Sequence, residues 1–135
     1  MPYELCEHTA DVAVEATGAT LAETFASVAD GMTAAMCESV PAGGERHTLD
    51  VRAESRDAVL FDYLDELIYE RDVRAVLPVE NRVTIQQGDD WSLSGSYRGV
   101  SLSAVTARDL KAVTYSEMEI AKRESSWFAY VVFDV

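Results

Sequence analysis

Two aspartates and the last residue of the chain carry the oxygen atoms best suited to chemistry. Asp11 ends the segment His8–Asp11 between two strand-like stretches, and Asp134 and Val135 end the final apolar strand. Loops between strands commonly present functional groups. Three anionic groups brought together repel one another unless a cation or protons lie between them, and hard oxygen ligands suit Ca²⁺ or Mg²⁺. The spacing alone also fits a simpler interpretation, with Asp11 as a turn or cap residue and Asp134 as an exposed terminal residue.

The sequence lacks the residue patterns of other common catalytic and metal sites. Its two histidines and two cysteines are His8, His47, Cys6 and Cys37, and they have no metal-site, disulfide or Cys–His spacing. A Gly-rich phosphate loop and a G-x-S-x-G nucleophile motif are also absent from the sequence. A divalent-metal hydrolase built on Asp11 and Asp134 stays open as an alternative, with His8 as its one obvious base.

The charge balance disfavours direct, tight binding to RNA or DNA. The 135 residues include 24 Asp and Glu against 11 Lys and Arg, which gives a formal net charge of −13. Nucleic-acid binding requires clustered cations that neutralise phosphates, and the sequence has no such cluster. Lys111 and Lys122 are the only lysines. High acidity with scarce lysine suits a halophile-like protein in a salty cytoplasm, where screening weakens self-repulsion.

The composition predicts a soluble cytoplasmic protein with one hydrophobic core. Apolar residues make up 48% of the chain, which is enough for a single compact domain over residues 1–135. The first residues, Met1–Glu4, lack the basic start and apolar stretch of a secretory signal. The longest clearly apolar run, Trp127–Phe133, is far shorter than the ~20 residues that a membrane helix needs.

Hydrophobic periodicity predicts two helices among several strands. Thr20 and Glu23 have the spacing of a capping box, and apolar residues at helical intervals predict a helix from Thr20 to Met36. Ser55 is predicted to cap a second helix. Alternating residues predict strands at these positions: Tyr3–Cys6, Val12–Ala16, Leu49–Ala53, Val83–Ile85, Trp91–Tyr97, Val100–Ala104, Val113–Ile120 and Trp127–Val135.

The order of these elements predicts an α+β domain. Because most strands follow one another directly, we expect a mixed, largely antiparallel sheet in a two-layer domain, with both helices packed on one side. A change of phase around Ser116 indicates a bulge or a bend. The last strand is apolar at both alternating sets of positions, which predicts a central strand covered on both faces.

Four segments of the chain together resemble the archease family. They are His8–Val12, Leu60–Tyr69, Lys111–Tyr115 and the ending Val131–Val135, and they occur in the family's order along essentially the whole chain. The sequence departs from the family pattern at Ser116, where members usually carry histidine.

The resemblance implies a protein cofactor rather than an enzyme. Archeases assist RtcB, the tRNA-splicing ligase, by promoting its guanylylation with GTP and its multiple turnover. The family's metal site carries over to Asp11, Asp134 and Val135, with Ca²⁺ as the expected ion and Mg²⁺ as the alternative. Lys111 matches the lysine of its motif and is a candidate contact to the ligase or its nucleotide.

Two other functions stay open at this stage. The first is a chaperone or modulator of another RNA-modifying enzyme, such as a tRNA cytosine methyltransferase. The second is the metal-dependent hydrolase considered above. Without a ligase, a chaperone would still suppress aggregation of its client and a hydrolase would still turn over phosphoesters, whereas a ligase cofactor would show neither activity.

Overall fold

The strands are divided between two antiparallel sheets. The computed structural model describes residues 3–8 and 11–135, with side chains described for residues 3–5 and 11–135. Within these ranges the elements are β1 (Tyr3–His8), β2 (Asp11–Gly18), α1 (Leu21–Met36), β3 (Arg46–Ala53), α2 (Arg56–Arg74), β4 (Val76–Gln87), β5 (Trp91–Ser101), a 3-10 helix (Leu102–Ala104), β6 (Ala112–Arg123) and β7 (Ser126–Asp134). One sheet has the order β1-β2-β7-β6 and the other has the order β3-β5-β4. Among the described helices, none is long and apolar enough to cross a membrane.

The α+β class with two helices and antiparallel strands is confirmed, whereas the expectation of one sheet is wrong, because the strands form two sheets. Each helix contacts strands of both sheets: α1 packs on β1, β2 and β7 and also on β4, and α2 packs on β6 and also on β3, β4 and β5. Every strand pair in the described part of the chain is antiparallel. The predicted central position of the last strand is confirmed, because β7 lies between β2 and β6.

The surface of α1 explains why two sheets are needed. Its buried residues cover more than half of the helix circumference, which is wider than the stripe that one sheet covers. A Cβ atom at Gly31 would lie 2.5 Å from Val14 Cγ1, so this glycine allows close packing against β2. On another side of the helix the Thr33 hydroxyl donates a hydrogen bond to the Pro78 carbonyl of β4.

The predicted helix starts are confirmed by their hydrogen bonds. The Thr20 hydroxyl accepts from the Glu23 amide at 3.1 Å, and the Glu23 carboxylate accepts from the Ala19 amide at 3.1 Å. At the second helix the Ser55 hydroxyl accepts from the Ala58 amide at 3.1 Å. These bonds satisfy amide groups that the first turn of a helix leaves without partners.

Two predictions about strand irregularity and strand length can be compared with the structure, and only one of them is confirmed in full. The bulge predicted at Ser116 is confirmed, because the β6–β7 register shifts between Thr114 and Glu119. The strand predicted for Val100–Ala104 is wrong beyond Ser101, where a 3-10 helix begins. There the Ser101 hydroxyl accepts from the Ser103 amide at 3.3 Å, and this local bond turns the chain away from the ladder.

A partly buried polar junction ties α1 to β4 and α2. One Asp30 carboxylate oxygen accepts from the Asn81 amide at 3.0 Å and from its side-chain nitrogen at 2.9 Å. Tyr63 of α2 donates to the Asn81 side-chain oxygen at 3.5 Å. Burial raises the pKa of Asp30 against the opposing effect of the Asn81 hydrogen bonds. The charged carboxylate is therefore less stable here than in water, although its removal would leave two donors without an acceptor.

We expect Asp30→Ala and Asp30→Asn to have different effects on stability. The alanine variant removes the acceptor of the Asn81 main-chain N–H and of one of its side-chain N–H groups, while the other still donates to the Pro78 carbonyl, and it should lose about 1–3 kcal/mol in urea unfolding. The asparagine variant keeps an acceptor oxygen without a charge. The pKa of Asp30 is raised on folding, so folding favours the protonated carboxyl. The wild type and the asparagine variant should therefore be closest in stability below pH ~4. As the pH rises through the folded pKa, the wild type should lose stability relative to the asparagine variant. Equal losses in both variants at every pH would contradict this account.

Candidate functional site

The register of β2 and β7 brings two of the predicted site residues together. Asp11, the first residue of β2, is the direct partner of Asp134, the last residue of β7. Residues opposite each other in a ladder point to the same face of the sheet, with Cβ atoms about 4.5–5.5 Å apart. Two carboxylates therefore share one end of the four-stranded sheet. We call Asp11, Asp134 and the adjoining Val135 the acidic tip.

Lys111 joins the acidic tip through its main chain. Its amide donates to the Asp134 carbonyl at 2.8 Å, immediately before β6 begins at Ala112. The Lys111 side chain and Asp134 are both exposed. Val135 follows directly and is 37% exposed. A cation, two side-chain carboxylates and the end of the chain thus lie at adjoining positions.

The first predicted loop is placed only in part. His8 is the backbone partner of Asp11 in the β1–β2 ladder. The His8 side chain and residues 9 and 10 lie outside the described residues. The base that a hydrolase would need is therefore not located.

The acidic tip is carried by strands that are anchored in the core. Val12 and Phe133, next to the two aspartates, belong to the opposite face of the sheet, and Phe133 is fully buried in the main core. On the face of the aspartates, the next pair is Ala13 and Val132, which are 0% and 3% exposed. The carboxylates thus project beyond a buried apolar surface, and their main-chain positions are fixed by the packing behind them.

The donor set at the acidic tip suits a hard divalent cation. Like charges placed opposite each other in a ladder are destabilising, and a cation between them removes that cost. In the part of the chain that the structure describes, no three His, Cys, Asp or Glu side chains form a metal-binding group. Asp11 and Asp134 supply two oxygen-bearing side chains at the tip, and any further ligands of a cation there would be other oxygen atoms or water. Carboxylate oxygens with water completing the shell fit Ca²⁺.

A buried arginine that the sequence analysis did not identify anchors the segment before Lys111. The Arg71 guanidinium, on α2, donates to the Leu110 carbonyl at 2.7 Å. It also lies 3.0 Å from the Asp72 carboxylate and 3.8 Å from that of Asp109. Arg71 is 7% exposed and Leu110 is 1% exposed. Arg71 follows Leu67 by four residues and therefore lies on the apolar stripe of α2. This spacing is the feature of the sequence that could have predicted its burial.

A groove of about 860 Å³ opens beside the strands of the acidic tip. Val12 and Met36 contribute apolar surface to it, and Arg108 and Glu38 bring opposite charges. The Arg108 amide donates to the Met36 carbonyl at 2.7 Å, so the segment before Lys111 is also held to the end of α1.

Comparisons with known proteins give a consistent result. The chain matches the sequence model of the Archease protein family over residues 3–135. It is 30% identical over 137 residues to protein archease of Archaeoglobus fulgidus, with 100% of both chains covered. It is 31% identical over 137 residues to protein archease of Methanothermobacter thermautotrophicus, with 98% of each chain covered.

Two solved structures share the fold. The solution structure of Methanobacterium thermoautotrophicum protein 1598 matches with a TM-score of 0.80 and 27% identity over 99% of each chain. The crystal structure of an archease, described as a possible chaperone, from Thermotoga maritima matches with a TM-score of 0.62 over 96% of this chain and 94% of that one. At 20% identity the second likeness shows the fold alone.

We expect Arg71→Ala to loosen the segment before Lys111. Loss of the guanidinium leaves the buried Leu110 carbonyl without its donor, and the cost in urea unfolding should be about 3 kcal/mol. Hydrogen exchange at the Lys111 amide should become faster, because its bond to Asp134 depends on that anchor. Arg82→Ala, at an exposed position on β4, is the matched control and should stay within about 0.5 kcal/mol. Unchanged exchange at Lys111 would show that Arg71 does not hold this segment.

Proposed function

Because the chain belongs to the archease family, we propose that it is a protein cofactor of an RtcB-type tRNA-splicing ligase. In this proposal it promotes guanylylation of the ligase with GTP and supports multiple turnover. The observation that carries the proposal is the pairing of Asp11 with Asp134 beside Lys111 at one sheet end. Oxygen ligands and a cation at fixed positions can orient phosphates and metal ions in another protein's active site.

The proposed metal is Ca²⁺, with Mg²⁺ as the alternative, and Asp11, Asp134 and Val135 would hold it. A bound divalent cation would supply charge neutralisation and a template for phosphate oxygens. Lys111 would contact a nucleotide phosphate or an acidic group of the ligase. Its main chain is tied to Asp134, so the lysine and the carboxylates would approach the ligase together.

The net charge favours action through a protein rather than on RNA directly. A chain of −13 repels a phosphate backbone. A ligase that binds RNA must itself present cations, and an acidic cofactor is complementary to such a surface. The proposed division of work leaves RNA binding and covalent chemistry to the ligase.

Substitutions at the acidic tip test the function in a single-turnover guanylylation assay with purified ligase and GTP. We expect Asp11→Asn and Asp134→Asn each to lower the acceleration by about tenfold or more, because each removes an anionic ligand but preserves side-chain size. Asp90→Asn, in the exposed turn between β4 and β5, is the control and should leave the rate unchanged. Full acceleration by both tip variants would remove the acidic tip from the mechanism.

Extension of the C-terminus tests the proposed third ligand by calorimetry and thermal unfolding. A few appended residues convert the Val135 carboxylate into a peptide group, and the affinity for Ca²⁺ should fall by about tenfold or more. The wild type should gain about 2.7 kcal/mol of stability at a Ca²⁺ concentration of a hundred times Kd, and the extended chain less. The same residues inserted at Gly88–Asp90 form the control. Equal Ca²⁺ binding by the extended chain and the wild type would exclude Val135 as a ligand.

A chaperone or modulator of another RNA-modifying enzyme is the second candidate, since one structure of the same fold is described as a possible chaperone. This function predicts suppression of client aggregation without any need for GTP. A metal-dependent hydrolase instead predicts turnover of phosphoesters by the purified protein alone. Acceleration of guanylylation that requires the ligase distinguishes the cofactor from both alternatives.

A further inference from the structure

We infer that the solvent-facing side of α2, together with Tyr115 of β6, is a docking surface for a protein with a Lys- and Arg-rich face. We call it the α2 face, and its members are Phe61, Asp62, Asp65, Tyr69, Val73 and Tyr115. The inference rests on the proposed function for the identity of the partner, the ligase, but not for the chemistry of the surface.

The first observation is a row of side chains along the outer side of α2 in which Tyr69 and Val73 lie in solvent, while Phe61, at the start of the row, is partly buried against the core. Phe61, Asp65, Tyr69 and Val73 are spaced four residues apart and therefore form one row along the helix. Tyr69 is 58% exposed and Val73 is 60% exposed. Tyr115 is 52% exposed, and its ring stacks on Phe61 with centroids 4.2 Å apart and planes 3° apart. Apolar patches rimmed by polar residues are typical of interaction sites.

The second observation is that carboxylates alternate with these apolar side chains. Asp62, Asp65, Glu66 and Tyr69 line a shallow hollow of about 360 Å³ against Val51 of β3. Burial raises the pKa of Glu66, and the negative charges of Glu70 and Asp65 raise it further. A cation placed in this hollow would relieve that repulsion.

Tyr115 of β6 also lies close enough to Asp62 and Asp57 for their charges to act on its pKa. Partial burial raises this pKa, and the carboxylates of Asp62 and Asp57 raise it further. Asp62 therefore borders both the hollow and the stacked pair of rings. A single partner surface would therefore contact both the aromatic and the acidic side chains of the α2 face.

The chemistry of the α2 face selects a basic protein among the candidate occupants. Phosphate backbones are repelled by its carboxylates, and a second copy of a chain with a net charge of −13 is repelled as well. Arginine side chains satisfy both features, because a guanidinium binds carboxylates in bidentate fashion and also stacks on aromatic rings. At high salt these short-range contacts persist better than long-range attraction.

The α2 face is connected to the acidic tip through β6. Tyr115 lies four residues after Lys111, which corresponds to roughly 13 Å along a strand. One partner can therefore cover both regions. Docking on the α2 face would then hold the acidic tip near the partner's active site at a fixed distance.

Charge reversal on the α2 face, compared with equal reversal elsewhere, tests the inference. The test variant is Asp62→Lys/Asp65→Lys, and the matched control is Asp89→Lys/Asp90→Lys in the exposed β4–β5 turn. The first probe is the purified RtcB-type ligase in calorimetry. We expect the test variant to weaken ligase binding by at least about tenfold and the control by less than about twofold. Circular dichroism should show both variants folded, because all four positions are exposed.

A second probe separates failure of this inference from failure of the proposed function. A synthetic amphipathic helical peptide with arginines on one face and leucines on the other is titrated into labelled wild-type protein and followed by NMR. Amide shifts centred on Asp62, Asp65, Tyr69 and Tyr115, and lost in the test variant, support the α2 face. Shifts centred elsewhere, or equal weakening of peptide binding by test and control variants, overturn it.

The outcomes of the two probes are then separable. If the wild type does not bind the ligase, the proposed function fails and the peptide titration alone decides the inference. If the ligase binds but test and control variants weaken binding equally, the α2 face is not the docking surface. The activity of the acidic tip would be unaffected by that second result.

Discussion

The antiparallel register between β2 and β7 is the constraint on which the candidate site depends. It pairs Asp11 with Asp134 at one end and continues inward through Val12 and Phe133. A slip of one residue would move each side chain of β7 to the opposite face and separate the carboxylates. Because Phe133 is fully buried, such a slip would also expose the core. The packing energy of the core thereby fixes which two acids meet.

Two polar contacts, one partly buried and one buried, relate the remaining elements to this strand pair. Asp30 and Asn81 join α1 to β4, and Arg71 joins α2 to the segment that delivers Lys111. Apolar packing alone is tolerant of sliding, whereas a buried donor has only a few acceptors in reach. The orientation of the two sheets and the position of Lys111 therefore depend on a small number of directional bonds.

The sequence predicted those features that local chemistry determines. The cap at Thr20, the bulge at Ser116 and the central last strand follow from short-range patterns, and each is confirmed. The division into two sheets did not follow, because α1 contacts the second sheet partly through residues that a hydrophobic pattern does not mark. Thr33 is one of these, and its bond to β4 is visible only in three dimensions. Arg71 was missed for a similar reason, since a buried arginine needs acceptors that are distant in sequence.

The acidic tip lies on strand ends and the α2 face lies on the outer side of a helix. This difference determines which substitutions each region tolerates. The tip lies at the ends of central strands, so the main-chain positions of its carboxylates depend on the buried residues behind them, such as Phe133. The α2 face lies on the outer side of a helix whose other side, with Leu64 and Leu67, is fully buried. Charges on that outer side can change sign without loss of packing. A protein that positions groups for a partner gains from this arrangement, because its affinity for the partner and the geometry it presents can change independently.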